Sequence, residues 1–184
     1  MKVVGFVGSP RKNGNTDVLV QQVLDGAVEA GADVEKFYIN EMDFRGCQGC
    51  NYCRAVDGCK LNDDMTKAYE ALKNADGIVF GSPIYFFQFT GQMRQFIDRC
   101  FALLNPDFTP RLEAGKKAVI VGAQGAPDAG AFTSVYEEFS RVLQMLGMDV
   151  KGTFVDIGHH APGEVKEDAK LMDEAKMAGV QLFV

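Results

Sequence analysis

Residues 2–31, KVVGFVGSPRKNGNTDVLVQQVLDGAVEAG, contain a β-branched apolar run, a loop of small and polar residues, and a stretch with apolar side chains at helical spacing. Lys2–Val7 reads as a strand. From Asn15 onward Leu19, Val20, Val23, Leu24 and Ala27 line one side of a helix. Asn15 or Thr16 is placed to cap that helix, and Gly31 stands where helices commonly stop. The next apolar run, DVEKFYI over 33–39, supplies a second strand, so the opening of the chain reads as a βαβ unit.

The alternation continues to the C-terminus. GIVFGSP (77–83) is a third strand ending at Pro83, KKAVIVGAQG (116–125) a fourth and DVKGTFVDIG (149–158) a fifth. DDMTKAYEALKNA (63–75), GQMRQFIDRCFALL (91–104), AFTSVYEEFSRVLQMLG (131–147) and PGEVKEDAKLMDEAKMAG (162–179) read as helices. Five strands alternating with five helices predict an α/β fold. The expected architecture is a flavodoxin-like, doubly wound, five-stranded parallel sheet of order 2-1-3-4-5 with helices on both faces. One domain over residues 1–184 is expected, with a cysteine-rich loop at about 45–60. In such folds ligands bind beyond the carboxyl ends of the strands near the switch point, so the loops after strands one, three and four should form the site.

The chain has 184 residues, 47% hydrophobic and 24% charged, with a formal net charge of −6, as expected of a soluble globular protein. That balance disfavours nucleic acid or an anionic membrane as a general partner, since both demand clustered positive charge. The N-terminal apolar run is too short and too interrupted to act as a signal peptide, and no apolar segment is long enough to span a bilayer. A reducing cytoplasm is the expected compartment.

The first loop, GSPRKNGNT (8–16), offers the hydroxyls of Ser9 and Thr16, the amides of Asn13 and Asn15, and the Arg11 guanidinium. Donors feeding a helix N-terminus suit an anion, and Arg11 suits a phosphate. The glycine spacing matches neither the nucleoside-triphosphate loop nor the dinucleotide fingerprint. A single phosphate with no such apparatus suggests a mononucleotide such as FMN. After the third strand, Pro83 stiffens the turn and Ile84, Tyr85, Phe86 and Phe87 give apolar and aromatic surface for a flat ring, while Phe89 and Phe96 read as core. After the fourth, Gln124 and Gly125 allow close backbone approach. No catalytic triad or carboxylate pair is evident, so no catalytic residue is assigned. His159 and His160 read as ordinary loop residues outside the switch point, and Cys100 as a small buried apolar residue.

Four of the five cysteines, Cys47, Cys50, Cys53 and Cys59, crowd into GCQGCNYCRAVDGC. A disulfide knot fits a reducing compartment and an odd cysteine total poorly. An iron–sulfur site, a zinc site and a metal-free thiol loop remain. Two-residue spacers let three thiolates converge from one loop, with nearby glycines easing the turns, which suits a [4Fe-4S] cluster. Zinc more often joins two ligand pairs across a longer segment.

The two loop motifs, together with the spacing C-x2-C-x2-C-x5-C between them, resemble the iron–sulfur flavoproteins, within the NADPH-dependent FMN reductase group. The resemblance covers residues 1–125 by motif and the remainder by layout. It implies FMN held at its phosphate by Ser9, Arg11, Asn13, Asn15 and Thr16. The ring would then lie beside Pro83, Ile84, Tyr85 and Phe86, with Gln124 and Gly125 nearby. It further implies a [4Fe-4S] cluster on the four cysteines, electron exchange between FMN and that cluster, and a homodimer or homotetramer. A ferredoxin or NAD(P)H is the expected redox partner. Two other readings stay open: a cluster-free NAD(P)H-dependent reductase of FMN or quinones, and a mononucleotide-binding module with structural zinc.

Overall fold

A computed structural model describes residues 1–182 of the chain. The three innermost strands are β1 (Lys2–Val7), β3 (Gly77–Tyr85) and β5 (Lys117–Gln124). All three are apolar nearly without interruption, as strands covered on both faces must be. β2 (Asp33–Tyr38) and β6 (Asp149–Ile157) form the edges and carry exposed residues. The parallel order is β2-β1-β3-β5-β6, which is the expected 2-1-3-4-5 path. One strand was not foreseen. β3 continues past Pro83 to Tyr85 and turns back into β4 (Gln88–Phe89), which pairs with it antiparallel.

Two apolar layers hold the helices. On one face α1 (Asn15–Glu29) and α6 (Ala169–Gln181) pack Leu19, Val20, Val23, Leu171 and Ala175 onto Val3, Val79, Val119 and Val121. On the other, α3 (Met65–Asn74), α4 (Gly91–Cys100) and α5 (Thr133–Met145) cover Phe6, Ile78, Phe80 and Ile120. Phe6 lies at the centre of that second layer, 4.8 Å from the Phe96 ring and 5.7 Å from that of Phe80. Each such buried side chain contributes about 1.5–3 kcal/mol. Cys100 is buried in the same layer, as are Phe89 and Phe96.

α1 and α6 meet backbone to backbone. A Cβ on Gly26 would lie 2.0 Å from the Lys176 carbonyl oxygen, and one on Gly179 would lie 1.9 Å from that of Val23. Only glycine allows this approach. Helix ends departed from expectation in two places. The N-cap of α1 is Gly14, which has no side chain to cap with, while Asn15, in the first turn, accepts from Val165 N. The segment opening at Pro162 forms a separate turn, Glu164–Glu167, before Asp168 caps α6 by accepting from Leu171 N at 3.0 Å. Among the described residues no helix is long and apolar enough to cross a membrane.

Candidate functional site

At the carboxyl end of the sheet a cleft of about 300 Å³ opens between the loops after β1, β3, β5 and β6. Ser9, Arg11, Asn15, Thr16, Pro83, Ile84, Tyr85, Gln124 and Gly125 line it, and so do His159 and His160.

The loop after β1 is shaped from beneath. Asp17, buried in the first turn of α1, accepts from Asn13 N at 2.7 Å, Tyr38 Oη at 3.2 Å and Lys36 Nζ at 2.9 Å. Asn13 itself sits in the left-handed region (φ 59°), which asparagine tolerates better than most residues. The structure therefore gives Asn13 a part in bending the loop and not in lining the cleft. Thr90, fully buried, ties two of the loops together. Its hydroxyl donates to Gly8 O at 2.8 Å and accepts from Met93 N at 3.2 Å, capping α4. Sequence reasoning missed Thr90, although a threonine directly before a helix is a capping signal.

Two buried polar atoms on the cleft wall, Thr16 Oγ1 and Gln124 Oε1, have no hydrogen-bond partner among the described residues. Gln124 spends its amide nitrogen on Asp128 O, at 2.8 Å, and on Ala126 O. Unsatisfied buried polar groups are costly; an acceptor bound at Thr16 and a donor bound at Gln124 would relieve them. Arg11 is exposed at the rim, with Nη1 3.5 Å from His160 O. A phosphate end with Arg11 and the α1 N-terminus, and an apolar end with Pro83, Ile84 and Tyr85, fit a mononucleotide with a flat ring.

Two aromatic residues do not join the cleft. Phe86 and Phe87 occupy the two central positions of the β3–β4 turn, both at positive φ, and are 97% and 73% exposed. The tight turn throws their rings outward. The histidines are the opposite correction. The loop after the fifth parallel strand folds back over the cleft, stitched by Gly158 N donating to Gln124 O at 2.8 Å. It brings His160 so close that a Cβ on Gly125 would stand 2.7 Å from the ring. A strand-order argument places that loop away from the switch point and cannot see this return.

The cysteine segment follows β2 and contains little regular structure beyond the single turn α2 (Tyr52–Ala55). Cys47, Cys50, Cys53 and Cys59 nevertheless line one cavity of about 170 Å³, with Leu61, Phe101 and Ala102 as apolar wall. Cys47 and Cys50 are exposed and the other two half-buried. Burial pushes the Cys53 thiol up, and burial pushes Cys100 up to about 12. Three arginines pin the segment. Arg99, itself buried, donates to Arg45 O at 2.5 Å and grips both Asp63 carboxylate oxygens, at 2.7 and 3.0 Å. Arg111 reaches Cys53 O at 2.8 Å, and Arg54 holds Asn105 O at 2.8 Å. Among the described residues no three His, Cys, Asp or Glu side chains are grouped to hold one metal ion. A single zinc would need all its thiolates within about 2.3 Å of one point. A [4Fe-4S] cluster would instead bind each thiolate through a separate iron.

The fold and its cleft define a flavodoxin-like protein with a mononucleotide-shaped site at the switch point. Comparison with known proteins narrows this. The sequence pattern of the NADPH-dependent FMN reductase family matches residues 1–161. The chain is 32% identical over 186 residues to an iron-sulfur flavoprotein of Methanocaldococcus jannaschii, covering 97% of this chain and 94% of that one. It is 33% identical over 170 residues to an iron-sulfur flavoprotein of Archaeoglobus fulgidus, covering 91% and 73%. A solved NAD(P)H:quinone oxidoreductase from Methanothermobacter marburgensis shares the fold at a TM-score of 0.73 and 20% identity, covering 99% and 98%. The chain belongs to the iron–sulfur flavoproteins of the NADPH-dependent FMN reductase family, and is a flavin-dependent oxidoreductase.

Proposed function

We propose that the protein binds FMN in the cleft and one [4Fe-4S] cluster on Cys47, Cys50, Cys53 and Cys59, and passes electrons between them. The observation that carries this reading is the gathering of all four thiols around one cavity in a chain whose cleft already suits FMN. The iron–sulfur names of the relatives support it. FMN takes up two-electron equivalents and releases single electrons, and the cluster supplies a one-electron partner.

The protein's own part is binding and orientation. Arg11, Ser9, Asn15 and Thr16 hold the phosphate end, and the unpartnered Thr16 hydroxyl is free to serve it. Pro83, Ile84 and Tyr85 flank the ring, and Gln124 Oε1 is left to accept from a ring N–H. In the cysteine segment Arg54, Arg99 and Arg111 hold the backbone while leaving the sulfurs unencumbered.

The two sites of one chain lie at opposite ends of α4. Thr90 at its start adjoins the cleft loops, and Asp98 and Arg99 at its end line the cysteine cavity. Its ten residues span about 15 Å. A homodimer or homotetramer in which the cysteine segment approaches a neighbour's flavin would shorten that path, and the exposed Tyr85, Phe86 and Phe87 supply apolar surface for it. The donor or acceptor is a ferredoxin or NAD(P)H, and the compartment a reducing cytoplasm.

Anaerobic reconstitution tests the reading. About four irons and four sulfides per chain are expected, lowered by Cys→Ser at any of the four positions and unchanged by Cys100→Ser. A protein that binds FMN and oxidises NAD(P)H but takes up neither iron nor sulfide would instead be a cluster-free reductase. Uptake of zinc in place of iron and sulfide, with no turnover, would mark a mononucleotide-binding module with structural zinc.

A further inference from the structure

The turn over residues 158–164 is built on a pair that the phosphate and ring contacts leave unused. Asp156, fully buried at the end of β6, has Oδ1 2.5 Å from His159 Nδ1, while its Oδ2 has no hydrogen-bond partner among the described residues. A carboxylate in this position fixes the imidazole: Nδ1 bears a proton toward Asp156, and Nε2 is left for the cleft that the ring lines. The arrangement is anchored from both sides. Asn15, whose Oδ1 accepts from Val165 N at 3.3 Å, also bears on Asp156, and Glu164 Oε2 accepts from His160 N and Ala161 N, each at 2.9 Å.

The charged groups facing His159 are mostly acidic. Asp156 lies beneath it, Glu164 comes from the following turn and Asp168 from the start of α6; the Arg11 cation and His160 line the same cleft. The bond to Asp156 dominates and raises the His159 pKa above its ordinary value. The imidazolium thus persists nearer to neutrality than in a free histidine, and it faces the cleft that Ser9, Arg11 and Thr16 make suitable for an anion.

We propose that His159, oriented by Asp156, is a further binding residue that donates from Nε2 to the anionic end of the ligand, so that the cleft selects phosphorylated over unphosphorylated flavin. This rests on the reading of the cleft as a flavin site. The affinity it adds is present while the ring is protonated and is lost as pH rises through its folded-state pKa.

The test is binding of FMN and of riboflavin, followed by flavin fluorescence, to the full chain and to His159→Gln between about pH 5.5 and 8.5. The FMN phosphate titrates near pH 6 in both proteins, so the difference between them is the readout. Wild-type preference for FMN over riboflavin should fall about tenfold more across this range than that of the variant, as loss of one charge-assisted hydrogen bond implies. Asp156→Asn should move the fall to lower pH; if that buried substitution unfolds the chain, His159→Gln still decides. An identical FMN-to-riboflavin ratio in wild type and His159→Gln at every pH would overturn the proposal. Wild-type protein that binds neither flavin would bring down the cleft reading first, and this inference with it.

Discussion

The cleft and the cysteine segment are held by different means. The cleft is made by topology: its walls are the ends of β1, β3, β5 and β6, joined by bonds such as Gly8 N to Gly81 O at 2.7 Å and Gly158 N to Gln124 O at 2.8 Å. Its shape follows once the sheet forms. The cysteine segment has one short turn of helix, two exposed and two half-buried thiols, and a backbone gripped by arginine side chains from elsewhere in the chain. A region held by a few side chains has a low local stability, and a ligand that binds only its folded form would add to it. Flavin binding should therefore survive changes that damage the cysteine segment.

The largest expected effect tests that separation. Arg99 is buried and among the described residues its ionic partner is the largely buried Asp63, so Arg99→Ala leaves that carboxylate without its counter-charge. A loss of about 3–5 kcal/mol is expected in chemical denaturation. In whatever folded fraction remains, FMN affinity should be nearly unchanged while iron uptake falls. The same pair has a pH signature. Burial opposes ionisation of Asp63, but Arg99 outweighs it and holds the carboxyl below its ordinary value. Its contribution is present above the unfolded-state pKa and is lost as pH falls through the lower folded value, so Asp63→Asn should flatten stability only on the acid side.

In the cleft, Arg11→Ala should do the reverse. It should weaken FMN binding by about 1.5–3 kcal/mol, with stability and iron content unaffected, because the Arg11 guanidinium is exposed and among the described residues makes one long hydrogen bond, to His160 O at 3.5 Å. Equal loss of iron and flavin in either variant would show the two regions to be one cooperative unit.

The smallest effect sharpens the comparison at the one strained corner of the cleft region. Phe86 and Phe87 hold positive φ in a two-residue hairpin turn, where Asn-Gly is favoured. Replacing them by Asn and Gly should raise stability by about 1 kcal/mol in thermal unfolding. If the pair belongs to a subunit interface, the same change should weaken the oligomer in sedimentation, and a gain in stability with no change of mass would assign the rings elsewhere.

The strand order was legible because VVGFV, GIVFG and AVIVGA are buried on both faces and can only be central strands. The donor-rich loop after β1 and the grouping of the four cysteines around one cavity were legible because those residues are local in sequence. Less could be read where geometry depends on contacts distant along the chain. His159 and His160 reach the cleft only because the last loop folds back, Thr90 matters through a carbonyl 82 residues away, and Phe86 leaves the cleft because of a turn only two residues long. Helix capping misled at Asn15 because its side chain is engaged by Val165, far along the chain.

The most direct test of the central claim counts electrons. Anaerobic reductive titration of the reconstituted, FMN-loaded protein, followed by absorption, should consume about three electrons per chain, two for the flavin and one for the cluster. Cys53→Ser should consume about two, with the flavin change intact. A wild-type protein that takes up only two electrons, all of them accounted for by bleaching of the flavin, would contradict the account.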